Sequence, residues 1–114
     1  MNEYIYHITA RNSWQAARER GEYSPGSLPM EGFIHCSRWD QVTRVANVFY
    51  HGQAGLVLLE IATGQLVAKV RWEPGTDKPD ELFPHIYGSL NLEAVRRVLE
   101  FPPALDGTFS LPII

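Results

Sequence analysis

Residues 4–9 are rich in Tyr, Ile and Thr, and this predicts a strand with Ile5, His7 and Thr9 on one face. Ser13 can then cap a short helix that runs from Trp14 toward Gly21, where the glycine provides a stop. Two prolines, a glycine and two serines make residues 22–29 a loop. Residues 32–37 read as a second strand, with Phe33 and His35 on one side and Ile34 and Cys36 on the other. Beyond it, Val42, Val45, Ala46 and Phe49 recur at i, i+3, i+4 and i+7. That spacing predicts an amphipathic helix ending near His51-Gly52, its start marked by a capping box of Ser37 and Asp40.

The apolar run of residues 56–61 fits a buried strand. After a Thr63-Gly64 turn, residues 66–73 alternate between a buried and a wetter face, so the two segments are expected to form a hairpin. Residues 74–81 carry Pro-Gly, a second proline and several charges, and are expected to be an exposed loop. Asn91 can cap a last helix that carries Leu92, Val95 and Leu99 inward and stops at Pro102-Pro103; residues 107–111 are compatible with an edge strand.

At 114 residues, with 45% hydrophobic and 20% charged residues, the chain suits one α+β domain, residues 1–114, built on a small mixed or antiparallel sheet with two or three helices. A net charge of −3 and the lack of a Lys/Arg run disfavour bulk nucleic-acid binding but not a single nucleotide ligand. One cysteine, Cys36, excludes an internal disulfide and a Cys-rich zinc cage. The amino terminus lacks a charged-then-apolar signal pattern, and the longest apolar run, residues 56–59, is too short to span a bilayer, so the expected location is the cytoplasm, with no membrane association.

Candidate chemistry lies in three histidines, each in a short apolar, aromatic-flanked segment: His7, His35 and His85. Imidazole changes charge near neutral pH and a buried ring must find a partner, so each is either a satisfied core residue or part of a pocket. His51, at a helix end, is explained by the macrodipole and is left out of the site. Cys36 and His35 alternate across a strand and are poorly placed for a thiol–imidazole pair. A three-His metal site is a weaker alternative, because no two of the three have the close helical spacing of metal motifs, and no metal is expected. Phosphate-loop and nucleophile-elbow patterns are absent.

Tyr6-His7-Ile8-Thr9 with Trp14, Glu31-Gly32-Phe33-Ile34-His35-Cys36-Ser37, Trp72-Glu73, and Phe83-Pro84-His85-Ile86-Tyr87-Gly88 together resemble the small bacterial family called domain of unknown function 952. The resemblance covers nearly the whole chain. It implies an ADP-ribosyltransferase-like fold, in which a split sheet forms a cleft for NAD. On that reading His7 holds ribose or phosphate, His35 stacks or donates, and His85 or Tyr87 closes the pocket, with Thr9, Phe33 and Ser37 also in contact with substrate. The catalytic glutamate of such transferases has no secure counterpart; Glu73, Glu81 and His85 are the candidates. The function expected is an NAD- or nucleotide-binding domain with ADP-ribosyl- or phosphotransferase-type activity and NAD as substrate. The alternative is a non-catalytic module that binds a small ligand or a protein.

Overall fold

A computed structural model describes residues 3–113. Strand β1 (Tyr4–Ala10) runs directly into helix α1 (Arg11–Arg20), whose end is set by Gly21 in the left-handed conformation at φ 92°, with its N–H on the Ala17 carbonyl. Short strand β2 (Glu22–Tyr23), helix α2 (Ser27–Glu31) and strand β3 (Ile34–His35) follow, then helix α3 (Trp39–Phe49). The second half is almost all strand: β4 (Leu56–Ala62), β5 (Lys69–Pro74), β6 (Leu82–Tyr87), β7 (Leu90–Asn91) and β8 (Val95–Glu100).

Among the described residues the strands form three antiparallel sheets, in the orders β1-β4-β8, β3-β6-β5 and β2-β7. β4 is buried along its whole length and separates two hydrophobic clusters. Val57, Leu59 and Ile61 point to one, with Ile5, Trp14, Ile34 and Ile86; Leu56 and Leu58 point to the other, with Val42 and Ala46 of α3 and Phe101. The two larger sheets meet at one place, where Tyr6 and Ser37 exchange both backbone hydrogen bonds at 2.8 Å. Around that junction Ile5, Val57 and Leu59 of one sheet pack against Ile34 and Ile86 of the other, and on the opposite face of β3 and β6 a cleft opens beside β1.

Among the described residues the fold is α+β with three α-helices, within the expectation, and the strand pairs are all antiparallel. Several local expectations are overturned. Residues 56–61 and 66–73 form no hairpin, because both edges of β4 are taken by β1 and β8, while β5 pairs with β6. The last helix is a strand: β4 has a second edge of backbone N–H and C=O groups that must be paired, and the Val-rich segment β8 pairs them. Segment 22–29 holds β2 and the start of α2 rather than a plain loop. α1 starts at Arg11, so Ser13 lies inside the helix and does not cap it. At α3 the N-cap residue is Arg38, whose backbone N–H donates to Gln41 Oε1 at 2.8 Å, in place of a Ser37/Asp40 box. Residues 107–111 form no strand; Phe109 is held by Asn47, which accepts its backbone N–H at 2.7 Å.

Candidate functional site

Strand alternation decides what enters the cleft. On β3 and β6, the paired residues Ile34 and Ile86 turn into the core, and this sends His35 and its partner His85 to the opposite face. Phe33, just before β3, packs on that same face. Along β5, Val70 packs against the core while Glu73 turns to His85. β1 approaches from the other side of the split. The cavity between them has a volume of about 630 Å³, and its lining includes His7, Thr9, Phe33, His35, Ser37 and His85. Tyr87 does not line it but lies directly behind, its ring 5.4 Å from that of Phe33.

His7 occupies the fork of the split. Its Nδ1 lies 2.6 Å from the His35 carbonyl oxygen, which can only accept, so Nδ1 carries a proton. Its Nε2 lies 2.7 Å from the Tyr23 hydroxyl, which in turn lies 2.9 Å from Thr9 Oγ1. Burial lowers the His7 pKa to about 4, so the ring is neutral at pH 7 and Nε2 is an acceptor. The phenol therefore donates to His7, and the Thr9 hydroxyl donates to the phenol. Burial also raises the Tyr23 pKa to about 12, keeping that proton in place. The imidazole thus supplies the bond that the His35 carbonyl would otherwise take from a neighbouring strand, and both its nitrogens are engaged.

His85 and His35 present a different arrangement. His85 is buried, with Nδ1 2.7 Å from Glu73 Oε1, and the Tyr87 hydroxyl donates to that same oxygen at 2.6 Å. The Tyr87 and His85 bonds hold the Glu73 carboxyl below its usual range, and the carboxylate in turn raises the Tyr87 pKa. Phe33 stacks on the His85 ring at 4.0 Å and 13°. His35 meets His85 edge-on at 5.4 Å; it is more exposed, and its Nε2 lies 3.0 Å from Glu31 Oε1. Cys36, beside it, is turned to the core, and burial pushes its thiol pKa well up, so it forms no pair with His35.

Of the three glutamate candidates, only Glu73 and His85 belong to this constellation. Glu81, at the end of the loop of residues 75–81, does not line the cleft; it is turned to α3, where it accepts from Gln41 Nε2 at 2.8 Å, and it faces Arg38 at 3.5 Å. Asp77 of the same loop lines the cleft and is held to α3 by Arg44 at 2.7 Å. Tyr23, Tyr50, Gln53 and Asp77 all line the cavity although no motif pointed to them, and Glu31, inside a quoted motif, lines it without having been singled out. They come from segments read as loop or helix end, where neither period two nor period 3.6 assigns a face. His51 sits apart, its ring against Gly107. Among the described residues no group of three or more His, Cys, Asp or Glu is arranged to hold a metal ion, and no helix is long and apolar enough to cross a membrane.

No curated protein matches the chain. Its fold is similar to that of protein CC0527 from Caulobacter crescentus. The crystal structure of that protein has a TM-score of 0.84 and 31% identity over 95% of this chain and 94% of that one. Its solution NMR structure has a TM-score of 0.79 and 32% identity over 92% and 90%. The family described as Protein of unknown function (DUF952) matches residues 8–98, a span that runs from β1, beside the His7 fork, into β8 and takes in His35 and the His85–Glu73 pair, and the chain belongs to that family.

Proposed function

We propose that the cleft is a nucleotide-binding site, with NAD or a related nucleotide as ligand and an ADP-ribosyl- or phosphotransferase-type reaction as its activity. The observation that carries this reading is convergence: His7, Thr9, Phe33, His35, Ser37 and His85, drawn from β1 and from the β3–β6 side of the split, line one cavity. Its volume of about 630 Å³ lies within the usual range for small-molecule sites. Aromatic rings suit a base or nicotinamide, and imidazole and hydroxyl groups suit ribose. Two small sheets splayed about a cleft, with a histidine on the first strand, also agree with an ADP-ribosyltransferase-like fold. None of the lining residues is Lys or Arg, so a diphosphate would be held by imidazole and backbone N–H groups and most of the recognition would fall on the base and ribose. The single thiol, buried and unpaired, suits a reducing cytoplasm.

A second reading, a non-catalytic small-ligand module, is favoured by one observation: both nitrogens of His7, the best match to the transferase pattern, are used in internal bonds. Calorimetry with NAD and with ADP-ribose, followed by an assay for NAD turnover, tests both. Saturable binding is expected, weakened by about 1–3 kcal/mol in His35→Ala, the scale of a lost hydrogen bond to a charged group. Binding without turnover selects the second reading, and absence of binding by either nucleotide overturns the first.

A further inference from the structure

The three histidines of the cleft are not equivalent. His7 has both ring nitrogens bonded inside the protein. His35 is half-exposed and turned to Glu31 on the neighbouring helix. His85 has Nδ1 on a carboxylate oxygen, which can only accept, so that in the neutral ring the proton sits on Nδ1 and Nε2 carries the lone pair. That Nε2 has no hydrogen-bond partner among the described residues, although the side chain is only 7% exposed and lines the cleft. The ring cannot easily turn away. Phe33 stacks on its face, His35 meets its edge, and Tyr87 donates to the same Glu73 oxygen that holds Nδ1. A cross-strand Glu–His contact made for stability alone would need neither the shared tyrosine nor an unbonded nitrogen in a cavity wall. A general base needs both a fixed tautomer and a free lone pair.

We propose that His85 is the proton-accepting residue of the cleft, taking a proton through Nε2 from a hydroxyl of the bound ligand or from a water beside it, with Glu73 and Tyr87 as positioning residues. In that step the O–H bond breaks, the Nε2–H bond forms, and the electron pair stays on the oxygen, which becomes the nucleophile. The imidazolium so formed faces the Glu73 carboxylate, which stays ionised. This assignment rests on the cleft being a ligand site, and the ligand class it adds is one bearing a reactive hydroxyl or admitting water.

Diethyl pyrocarbonate, which acylates unprotonated imidazole nitrogen, tests it on the intact protein at pH 7.5 with modified residues mapped by mass spectrometry. His85 is expected to react at least tenfold faster than His7, and Glu73→Gln is expected to slow His85 about tenfold while His35 keeps its rate. Resistance of His85 in the folded protein, or an unchanged rate in Glu73→Gln, overturns the proposal. Nitrogen-15 NMR of the unsubstituted protein provides a measurement that needs no variant: Nδ1 protonated with Nε2 bare supports the assignment, and the opposite tautomer overturns it. Saturating NAD should protect His85 from acylation. A reactive, Glu73-dependent His85 that NAD leaves unprotected keeps the proton acceptor and removes NAD as the ligand.

Discussion

At the scale of single residues, the cost of building the cleft falls on His7, which is kept neutral inside the protein at pH values where an exposed imidazole takes up a proton. Above pH 6.5 the ring is neutral in folded and unfolded chains alike, and its contribution to stability is fully present. As pH falls from 6.5 toward about 4, the unfolded chain binds a proton that the folded protein refuses, and that contribution is lost. A displacement from 6.5 to about 4 corresponds to roughly 3 kcal/mol. Urea unfolding at pH 7 and pH 4.5 should therefore show a marked drop in stability. In His7→Gln, which is less stable at pH 7, most of that pH dependence should vanish. An equal drop in both proteins would assign the acid sensitivity to other groups. The histidine motif around residue 7 was legible in the sequence, but its partners were not: Tyr23 and the His35 carbonyl lie 16 and 28 residues away, and only folding brings them to the ring.

At the scale of elements, the loop between β5 and β6 does more than connect them. Its first half, through Asp77, forms part of the cleft wall, and it is strapped to α3 by Arg44 to Asp77 and by Gln41 to Glu81 and to the Leu82 carbonyl. Gly75 permits the close fold-back, since a Cβ there would lie 2.4 Å from the Phe83 ring. Arg44→Ala should loosen the strap while leaving the sheets intact. Hydrogen exchange at the Gly75 and Glu81 amides, which bond within the loop, should speed up several-fold, and global stability should fall by about 1 kcal/mol or less, because the pair is partly exposed. High salt should act in the same direction. If exchange in the loop is unchanged by either, the hydrogen bonds to Glu81 and to the Leu82 carbonyl hold it without the Arg44–Asp77 pair. The prolines and charges of residues 74–81 mark an exposed loop in the sequence but not the wall it contributes to the cleft. Its contacts with Arg44 and Gln41 depend on where α3 packs.

At the scale of the whole molecule, the two hydrophobic clusters share one strand. Leu58 and Leu59 are adjacent in β4, fully buried, and point into opposite clusters. Leu58→Ala and Leu59→Ala should each cost about 2–5 kcal/mol. Because both clusters hang on β4, calorimetry should show each variant unfolding in one transition at a lower temperature. A split transition in either would mean that the two sheets fold as separate units, and the cleft would then be an interface between subdomains rather than a fixed gap.

Features that local chemistry controls can be traced to short stretches of the chain. The Tyr, Ile and Thr content of residues 4–9 sets β1, the spacing of Val42, Val45 and Ala46 sets α3, Gly21 stops α1, and the flanking patterns of His7, His35 and His85 single them out. Whatever depends on a partner distant in sequence was settled by folding. Leu92, Val95 and Leu99 fit a helical face, but residues 95–100 became a strand because the free edge of β4 required backbone partners. β5 paired with the strand that follows it, β6, and not with the one before it, because β4 was already paired on both sides. Only that arrangement sets Glu73 beside His85 and Tyr87, and leaves Nε2 of one histidine free while closing off both nitrogens of another. Residue type supplies the imidazoles; the competition among strands for edges decides which of them can do chemistry.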